Sequence, residues 1–211
     1  MRTRLRNFLS FGTADEINNT ANHALAEIFR SGQQIETDRL LLRPRSFLDT
    51  EGIFEIDSDE EICRLSLGQL VQSQPEARKR VEQEMSYAQR GYAVPWSVIR
   101  KEDRQFLGTC GIVSLNDANG TLGMGFAYRR LAWNQGYGTE ALNACIGFLF
   151  QNSEFYRIEA QCWPENGASR RVMEKVGMTC EGTLRSSIVS QFGRHDACYY
   201  AILRPEWEAK A

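Results

Sequence analysis

Two glycines separated by one residue, Gly136-Tyr137-Gly138, mark the stretch of the chain best suited to chemistry. They lie between an apolar run that predicts a strand and an amphipathic run that predicts a helix. A turn in this position exposes successive backbone N–H groups at a helix N-terminus, where a phosphate can bind, and glycine lets the backbone approach the anion closely. The chain contains neither Gly-x-Gly-x-x-Gly nor a Gly-Lys-Ser/Thr P-loop. The residues alone therefore predict an anion-binding turn.

The elements around this turn alternate in type along the chain. Apolar runs bounded by turn residues predict strands, which cover residues 37–43, 96–100, 106–115, 121–128, 157–163, 183–189 and 197–203. Helical spacing and N-terminal capping residues predict helices, which cover residues 46–56, a turn from 58, 76–89, 139–150 and 169–176. This order predicts a mixed α/β sheet that places the glycine turn at the end of a strand.

Residues 1–34 are predicted to form an amphipathic helical extension ahead of one domain over residues 35–207. Thr13 and Glu16 have the spacing of a capping box, apolar residues then recur at helical spacing, and Gly32 follows as a stop. The apolar stripe is expected to pack on its own domain or on a second copy of the chain, which would make a homodimer. The scarcity of Lys and Arg on the polar face disfavours a membrane.

Composition excludes several classes of protein. A net charge of −2 disfavours a nucleic-acid partner, which normally requires a basic excess. Six cysteines without a CxxC pair, together with only two histidines, predict no metal site and favour buried free thiols in a reducing compartment. The most apolar stretch, residues 141–150, is about half the roughly 20 residues that span a bilayer. We expect a cytoplasmic protein.

The neighbours of the glycine turn carry a resemblance. The strand Gly125–Tyr128, followed by Trp133–Ala141, resembles the cofactor-binding segment of the GNAT superfamily of N-acetyltransferases. Further blocks resemble other parts of that family in the same order, namely Thr37–Pro44 before the turn and Arg157–Ala160, Asn166–Ser169, Glu174–Met178 and Tyr200–Trp207 after it. The resemblance covers about residues 35–207 and is greatest to the ribosomal-protein-alanine N-acetyltransferases.

The resemblance implies a GNAT-like fold, a mixed and mostly antiparallel sheet flanked by helices. A parallel strand pair would splay apart to form the cleft for acetyl-CoA, the cosubstrate. It also implies the cofactor-binding residues: the strand end Phe126, Ala127 and Tyr128 for the pantetheine arm and thioester, the turn Trp133, Asn134, Gln135, Gly136, Tyr137, Gly138 and Thr139 for the pyrophosphate, and Asn166 at the end of the second strand. Asn166 would equally serve as a helix N-cap.

Proton handling is less fully specified. In the branch that the chain resembles, a serine occupies the position of Ser169 and would protonate the departing thiolate, although a first-turn helix serine is the alternative. Glu159, on the strand lining the acceptor side, would deprotonate the amine through water, although a salt-bridged glutamate is equally expected. Met173 stands where many relatives have a tyrosine acid, residues 121–124 lack the carboxylate found in others, and Trp133 replaces the usual Arg or Gln.

The predicted function is transfer of an acetyl group from acetyl-CoA to a primary amine. A protein or peptide N-terminal α-amine is the leading acceptor, with a small amine such as a polyamine, amino acid or antibiotic as the alternative. A non-catalytic acyl-CoA-binding module is a third hypothesis, because the tyrosine acid and the strand carboxylate are missing. Neither nucleic acid nor membrane is expected as a partner.

Overall fold

The computed structural model describes residues 23–66, 68–92 and 95–210. Its centre is one sheet of eight strands in the order β1-β2-β3-β4-β5-β6-β8-β7. The strands are β1 (Ile35–Glu36), β2 (Leu40–Arg43), β3 (Trp96–Arg100), β4 (Phe106–Asn116), β5 (Thr121–Tyr128), β6 (Arg157–Cys162), β7 (Thr179–Ser190) and β8 (Gly193–Leu203).

Helices cover the sheet and its ends. Those in the described ranges are α1 (His23–Ser31), α2 (Thr50–Ser58), α3 (Glu60–Ser66), α4 (Gln74–Gln89), α5 (Tyr137–Asn152), α6 (Gly167–Lys175) and α7 (Arg204–Glu208). Short 3₁₀ turns lie at Phe47–Asp49, Asp117–Asn119 and Arg130–Ala132. No helix within these ranges is both long and apolar enough to cross a membrane.

The predicted fold class is confirmed, down to the single parallel pair. Every neighbouring pair of strands is antiparallel except β5 and β6. Their parallel register runs from Thr121 opposite Arg157 to Met124 opposite Ala160 and ends there, although β5 continues for four residues. The two strands therefore part at Met124, and the resulting gap positions the site described below.

Strand alternation directs most buried side chains to two cores, one on each face of the sheet, and a third, small cluster lies beside β7 and β8. The larger core gathers residues such as Leu122 and Met124 of β5 with Ile146 of α5 and Tyr200 of β8. The second core packs α2 and α4 against strand residues such as Phe106. The helices that follow β5 and β6 thus lie on one face, and those that precede the strand block lie mainly on the other.

The helix α1 is the described part of the predicted extension. Leu25, Ile28 and Phe29 are buried in the larger core, and the Phe29 ring lies 5.4 Å from that of Trp96. Gly32 ends the helix with a φ of +68°, as expected of a C-terminal glycine. The apolar stripe of α1 therefore packs on its own chain. The capping box at Thr13 lies outside the described residues, and the homodimer stays a prediction.

A chain of buried charges holds the second core together. Arg45 and Glu84 form an ion pair of 2.7 Å in which neither side chain is more than 2% exposed. The network extends from this pair in both directions through hydrogen bonds and ion pairs that include Arg43, Asp49, Ser97, Arg80 and Asp57. Burial raises the pKa of Asp57 to about 6, although Arg80 lies beside it and opposes the shift.

Two expectations need correction at the end of the sheet. The strands β7 (Thr179–Ser190) and β8 (Gly193–Leu203) are longer than the predicted strands 183–189 and 197–203. In β7, an edge strand, the first eight residues are exposed and lack the apolar pattern of a buried strand. Five of the six free cysteines are buried, whereas Cys180 on this edge is exposed. Burial raises the pKa of the Cys63 and Cys162 thiols to about 12, which keeps them protonated.

Candidate active site

A cleft of about 300 Å³ opens where β5 and β6 part. Its walls come from α3, the end of β5, the following turn and α6. The lining residues are Ile62, Leu65, Ser66, Phe126, Ala127, Tyr128, Ala132, Trp133, Asn134, Gly136, Gly138, Thr139, Asn166, Ala168, Ser169, Arg171, Val172 and Lys175. The structure thus brings together nine of the eleven predicted cofactor-binding residues and one of the two predicted catalytic residues.

The end of β5 offers its backbone to the cleft. Phe126, Ala127 and Tyr128 pair with β4 on one side, and the β5–β6 pairing has stopped at Met124 on the other. The Tyr128 side chain is buried, and burial together with the nearby Cys110 and Cys145 thiols raises its pKa well above 10. Its phenol therefore stays neutral, and the free edge of these residues can pair with an extended ligand that carries amides.

The glycine turn has the geometry of an anion site. Asn134 and Gly136 adopt left-handed conformations, with φ of +59° and +81°, and α5 begins at Tyr137. The N–H of Glu140 donates to the carbonyl of Gly136 (3.0 Å) and makes the first bond of the helical pattern. The N–H groups before Glu140 have no partner within the helix, because a helix cannot satisfy its first donors, and the macrodipole favours an anion there.

Trp133 has a structural role in this turn. Its indole Nε1 donates to the carbonyl of Tyr128 (2.9 Å), which closes the loop between β5 and α5. Its ring packs against both cores, and the Arg130 guanidinium lies 5.2 Å above it. The residue that departs from the family pattern thus lines the cleft and also fixes the loop.

Acidic residues of α2, of α3 and of the junction between them anchor the same loop from the other side. The Glu55 carboxylate accepts two hydrogen bonds from the Arg129 guanidinium (2.6 and 2.8 Å). The Asp59 carboxylate accepts two from the Arg130 guanidinium (2.6 and 2.9 Å). Glu61 lies 2.7 Å from Arg130 as well. These carboxylates are neutralised within the chain by Arg129 and Arg130, and the pairs hold the loop against the helices.

Two predicted residues of the turn lie beside the cleft rather than in it. The carbonyl of Gln135 accepts from Nη1 of Arg39 (3.1 Å), and its side chain bonds to the carbonyl of Leu131. Tyr137 is buried, and the Arg39 guanidinium lies 4.5 Å above its ring. Both shape the turn, and neither contributes a side chain to the cleft lining.

Asn166 connects the two walls of the cleft. It is the N-cap of α6, since its Oδ1 accepts from the N–H of Ser169 (3.0 Å). Its Nδ2 donates to the carbonyl of Leu65 at the end of α3 (3.0 Å). The expected N-cap role is therefore present, together with a bridge to α3 that the sequence did not indicate.

Ser169 and Glu159 occupy different surroundings. Ser169 lines the cleft, half-buried, and its hydroxyl makes no hydrogen bond to any other described residue. Glu159 sits on β6 opposite Gly123, before the strands part, outside the cleft lining. Arg157 holds its carboxylate in an ion pair of 3.1 Å, and Arg157 also binds Glu181. This geometry favours the salt-bridged interpretation of Glu159.

Several lining residues were missed or undervalued at the sequence level. Ile62, Leu65 and Ser66 come from α3, which lies about 60 residues before the strand whose end they face, and no motif marks them. Arg171 and Lys175 of α6 also line the cleft. The sequence offered one signal for them: a spacing of four residues, which places both cations on the same face of a helix.

Comparison with known proteins identifies the family. The sequence pattern of the acetyltransferase (GNAT) domain matches residues 39–179, two thirds of the chain. The chain belongs to the GNAT acetyltransferase family. An uncharacterised N-acetyltransferase of Bacillus subtilis, YnaD, is 30% identical over 173 residues, which cover 82% of this chain and 98% of YnaD. A GNAT-family acetyltransferase structure from Bacillus anthracis has 31% identity and a TM-score of 0.73, covering 82% of this chain and 100% of the other.

More distant GNAT structures share the fold. RimL, a ribosomal L7/L12 α-N-protein acetyltransferase solved with coenzyme A, has a TM-score of 0.72 at 21% identity and covers 81% of this chain and 98% of its own. The microcin C7 self-immunity acetyltransferase MccE, solved with acetyl-CoA and AMP, has a TM-score of 0.71 at 19% identity, covering 79% and 93%. The prediction of an acetyl-CoA-dependent acetyltransferase of this GNAT family is confirmed.

Proposed function

We propose that this GNAT enzyme transfers the acetyl group of acetyl-CoA, bound in the cleft between β5 and β6, to the α-amino group of a protein or peptide. The observation that carries the proposal is the cleft itself. One end is an anion-binding turn, the middle is a free strand edge, and the other end meets the apolar wall that Ile62 and Leu65 of α3 provide.

The chain's own groups fit each part of the cosubstrate. The backbone N–H groups of Gly136, Gly138 and Thr139 suit the pyrophosphate, because they lie at the N-terminus of α5. The free edge of Phe126 and Ala127 suits the amides of the pantetheine arm. The cations Arg171 and Lys175 on α6 add positive charge to the same cleft, and the bound thioester supplies the activated acetyl group.

The reaction joins the amine nitrogen to the acetyl carbon as the carbon–sulfur bond breaks. Backbone N–H groups of β5 would stabilise the negative charge that develops on the thioester oxygen. Ser169 would give its hydroxyl proton to the leaving thiolate and regain a proton from water, since it is the predicted acid that lies in the cleft. Glu159 would take the amine proton through water and would need to exchange its ion pair with Arg157 to do so.

RimL, a ribosomal L7/L12 α-N-protein acetyltransferase whose fold this chain shares, supports a protein or peptide acceptor. A small amine is the second candidate. The hydrogen bond between Asn166 and Leu65 supports it, because this bond ties the two walls together where the acceptor would enter. This chain resembles the fold of the microcin C7 self-immunity acetyltransferase MccE as closely as that of RimL, so fold similarity does not favour one candidate over the other. A cytoplasmic location stays a prediction.

The test is a thiol-release assay with acetyl-CoA and a panel of acceptors. Peptides with different free N-termini should release CoA, and the same peptides with a blocked N-terminus and no lysine are the matched control. Release with small amines alone would favour the second candidate. Binding of CoA without thiol release across the whole panel would contradict the proposed function.

A further inference from the structure

One side chain from a segment far away along the chain holds the anion-binding turn. Arg39 lies between β1 and β2, 96 residues before Gln135. Its Nη1 donates to the carbonyl of Gln135 (3.1 Å), and its Nε and Nη2 lie 2.7 and 2.6 Å from Oε2 of Glu140. The guanidinium carbon is 4.5 Å above the Tyr137 ring. Arg39 thus contacts the start, the middle and the end of the segment from Gln135 to Glu140.

The turn needs support of this kind because Asn134, directly before the segment, is left-handed without being glycine. A left-handed residue other than glycine persists when the surrounding structure determines its conformation. Gly136 is left-handed as well, a conformation that glycine adopts without strain. Nη2 of Arg39 lies 3.5 Å from the position that a Cβ on Gly136 would occupy, so the guanidinium sits directly beside the turn.

Glu140 makes the charge of Arg39 important. A carboxylate in the first turn of α5 is attracted to the N–H groups that would bind phosphate, and it repels an anion there. Oε1 of Glu140 instead accepts from the Thr37 hydroxyl (2.6 Å) and the Arg39 N–H (3.1 Å), while Oε2 faces the guanidinium. The carboxylate is therefore turned towards the β1–β2 turn and neutralised.

We propose that Arg39 is a positioning residue for the pyrophosphate of CoA, which neutralises Glu140 and fixes the segment from Gln135 to Glu140 in its anion-binding shape. The inference rests on the proposed function, because it concerns the affinity of this cleft for CoA. The sequence gives no hint of it, since the contact joins two turns that are distant along the chain.

Calorimetric titration of the full chain with CoA tests the inference. Arg39→Ala should raise the Kd for CoA about tenfold. Arg39→Lys keeps the charge but lacks the planar guanidinium, so its Kd should lie between those of the wild type and Arg39→Ala. In the double variant, Glu140→Gln removes the carboxylate that Arg39→Ala leaves unpaired. The double variant should therefore bind CoA about threefold more tightly than Arg39→Ala alone.

The matched control is Glu36→Gln, which breaks the exposed ion pair with Lys101 (3.1 Å) beside the β1–β2 turn. It should leave the Kd for CoA unchanged. Wild-type affinity in Arg39→Ala would overturn the inference. So would a double variant that binds no better than Arg39→Ala, because loss of support for the fold alone predicts no recovery. A wild-type chain that fails to bind CoA would contradict the proposed function as well.

Discussion

The cleft has a proposed cofactor half and a proposed acceptor half, and the two are built on different principles. Residues 126–140 supply most of the cofactor half from one continuous segment, and their proposed contacts are made largely by backbone groups. The acceptor half uses the side chains Ile62, Leu65 and Ser66 of α3, which reach the cleft only because α3 folds against the end of β5. Backbone recognition constrains local sequence and leaves a motif, whereas recognition by assembled side chains does not.

The two halves also differ in how their supporting helices are held. Apolar residues bury α5 in the larger core, where seven of its sixteen residues are buried. The α2–α4 layer behind the acceptor wall depends on the buried network around Arg45 and Glu84 in addition to its apolar contacts. Removing one partner of a buried ion pair is more damaging than trimming a surface contact.

The largest expected effect tests this difference directly. Glu84→Ala leaves the buried Arg45 without its 2.7 Å partner and should lower the free energy of unfolding by about 3–5 kcal/mol. Urea denaturation measures it. Glu82→Ala on the exposed face of the same helix is the control and should change stability by about 0.5 kcal/mol or less. Equal effects of the two substitutions would contradict the importance of the network.

The next prediction targets the cofactor half without unfolding it. Gly138→Asp places a carboxylate at the N-terminus of α5, which suits the helix but occupies the anion site, and its Cβ would lie 3.3 Å from the Tyr128 ring. The Kd for CoA should rise about a hundredfold. Gly147→Ala on the same helix, whose Cβ would lie 3.9 Å from its nearest neighbour, should bind CoA normally. Unchanged affinity in Gly138→Asp would remove the turn from the site.

The third prediction uses pH to probe the α2–α4 layer behind the acceptor wall. Folding raises the pKa of Asp57 from 3.8 to about 6, so the folded chain binds this proton more tightly than the unfolded chain. The contribution of Asp57 to stability should therefore be greatest near pH 4 and decline as pH rises to about 6, by roughly 2 kcal/mol. Urea unfolding across this range should show that slope in the wild type and lack it in Asp57→Asn. Parallel profiles for both proteins would contradict the assignment.

The smallest expected effect concerns proton handling, where the two halves meet. Ser169→Ala should lower kcat by about tenfold and leave the KM for acetyl-CoA unchanged, because the hydroxyl acts only as the thiolate departs. Glu159→Gln should have a smaller effect, since Glu159 lies outside the cleft lining and is paired with Arg157. Steady-state thiol release separates kcat from KM. Unchanged turnover in both variants would show that neither residue handles a proton.

The sequence by itself determined the sheet, the glycine turn and the family. Strands such as Trp96–Arg100 and Thr121–Tyr128 were predicted with the bounds observed, because apolar alternation and turn residues are local properties. The exposed edge strand β7 was predicted too short because it lacks that pattern. Gly136 and Gly138 indicated an anion site because backbone geometry near glycine depends on the residue itself.

Only the tertiary structure decided which side chains meet. It set Arg39 against Glu140, tied Asn166 to Leu65 and brought α3 to the end of β5. It also separated two residues that the sequence had grouped as catalytic, since Ser169 lines the cleft while Glu159 pairs with Arg157 outside it. Contacts of this kind depend on how distant segments pack, and no local pattern of residue types records that packing.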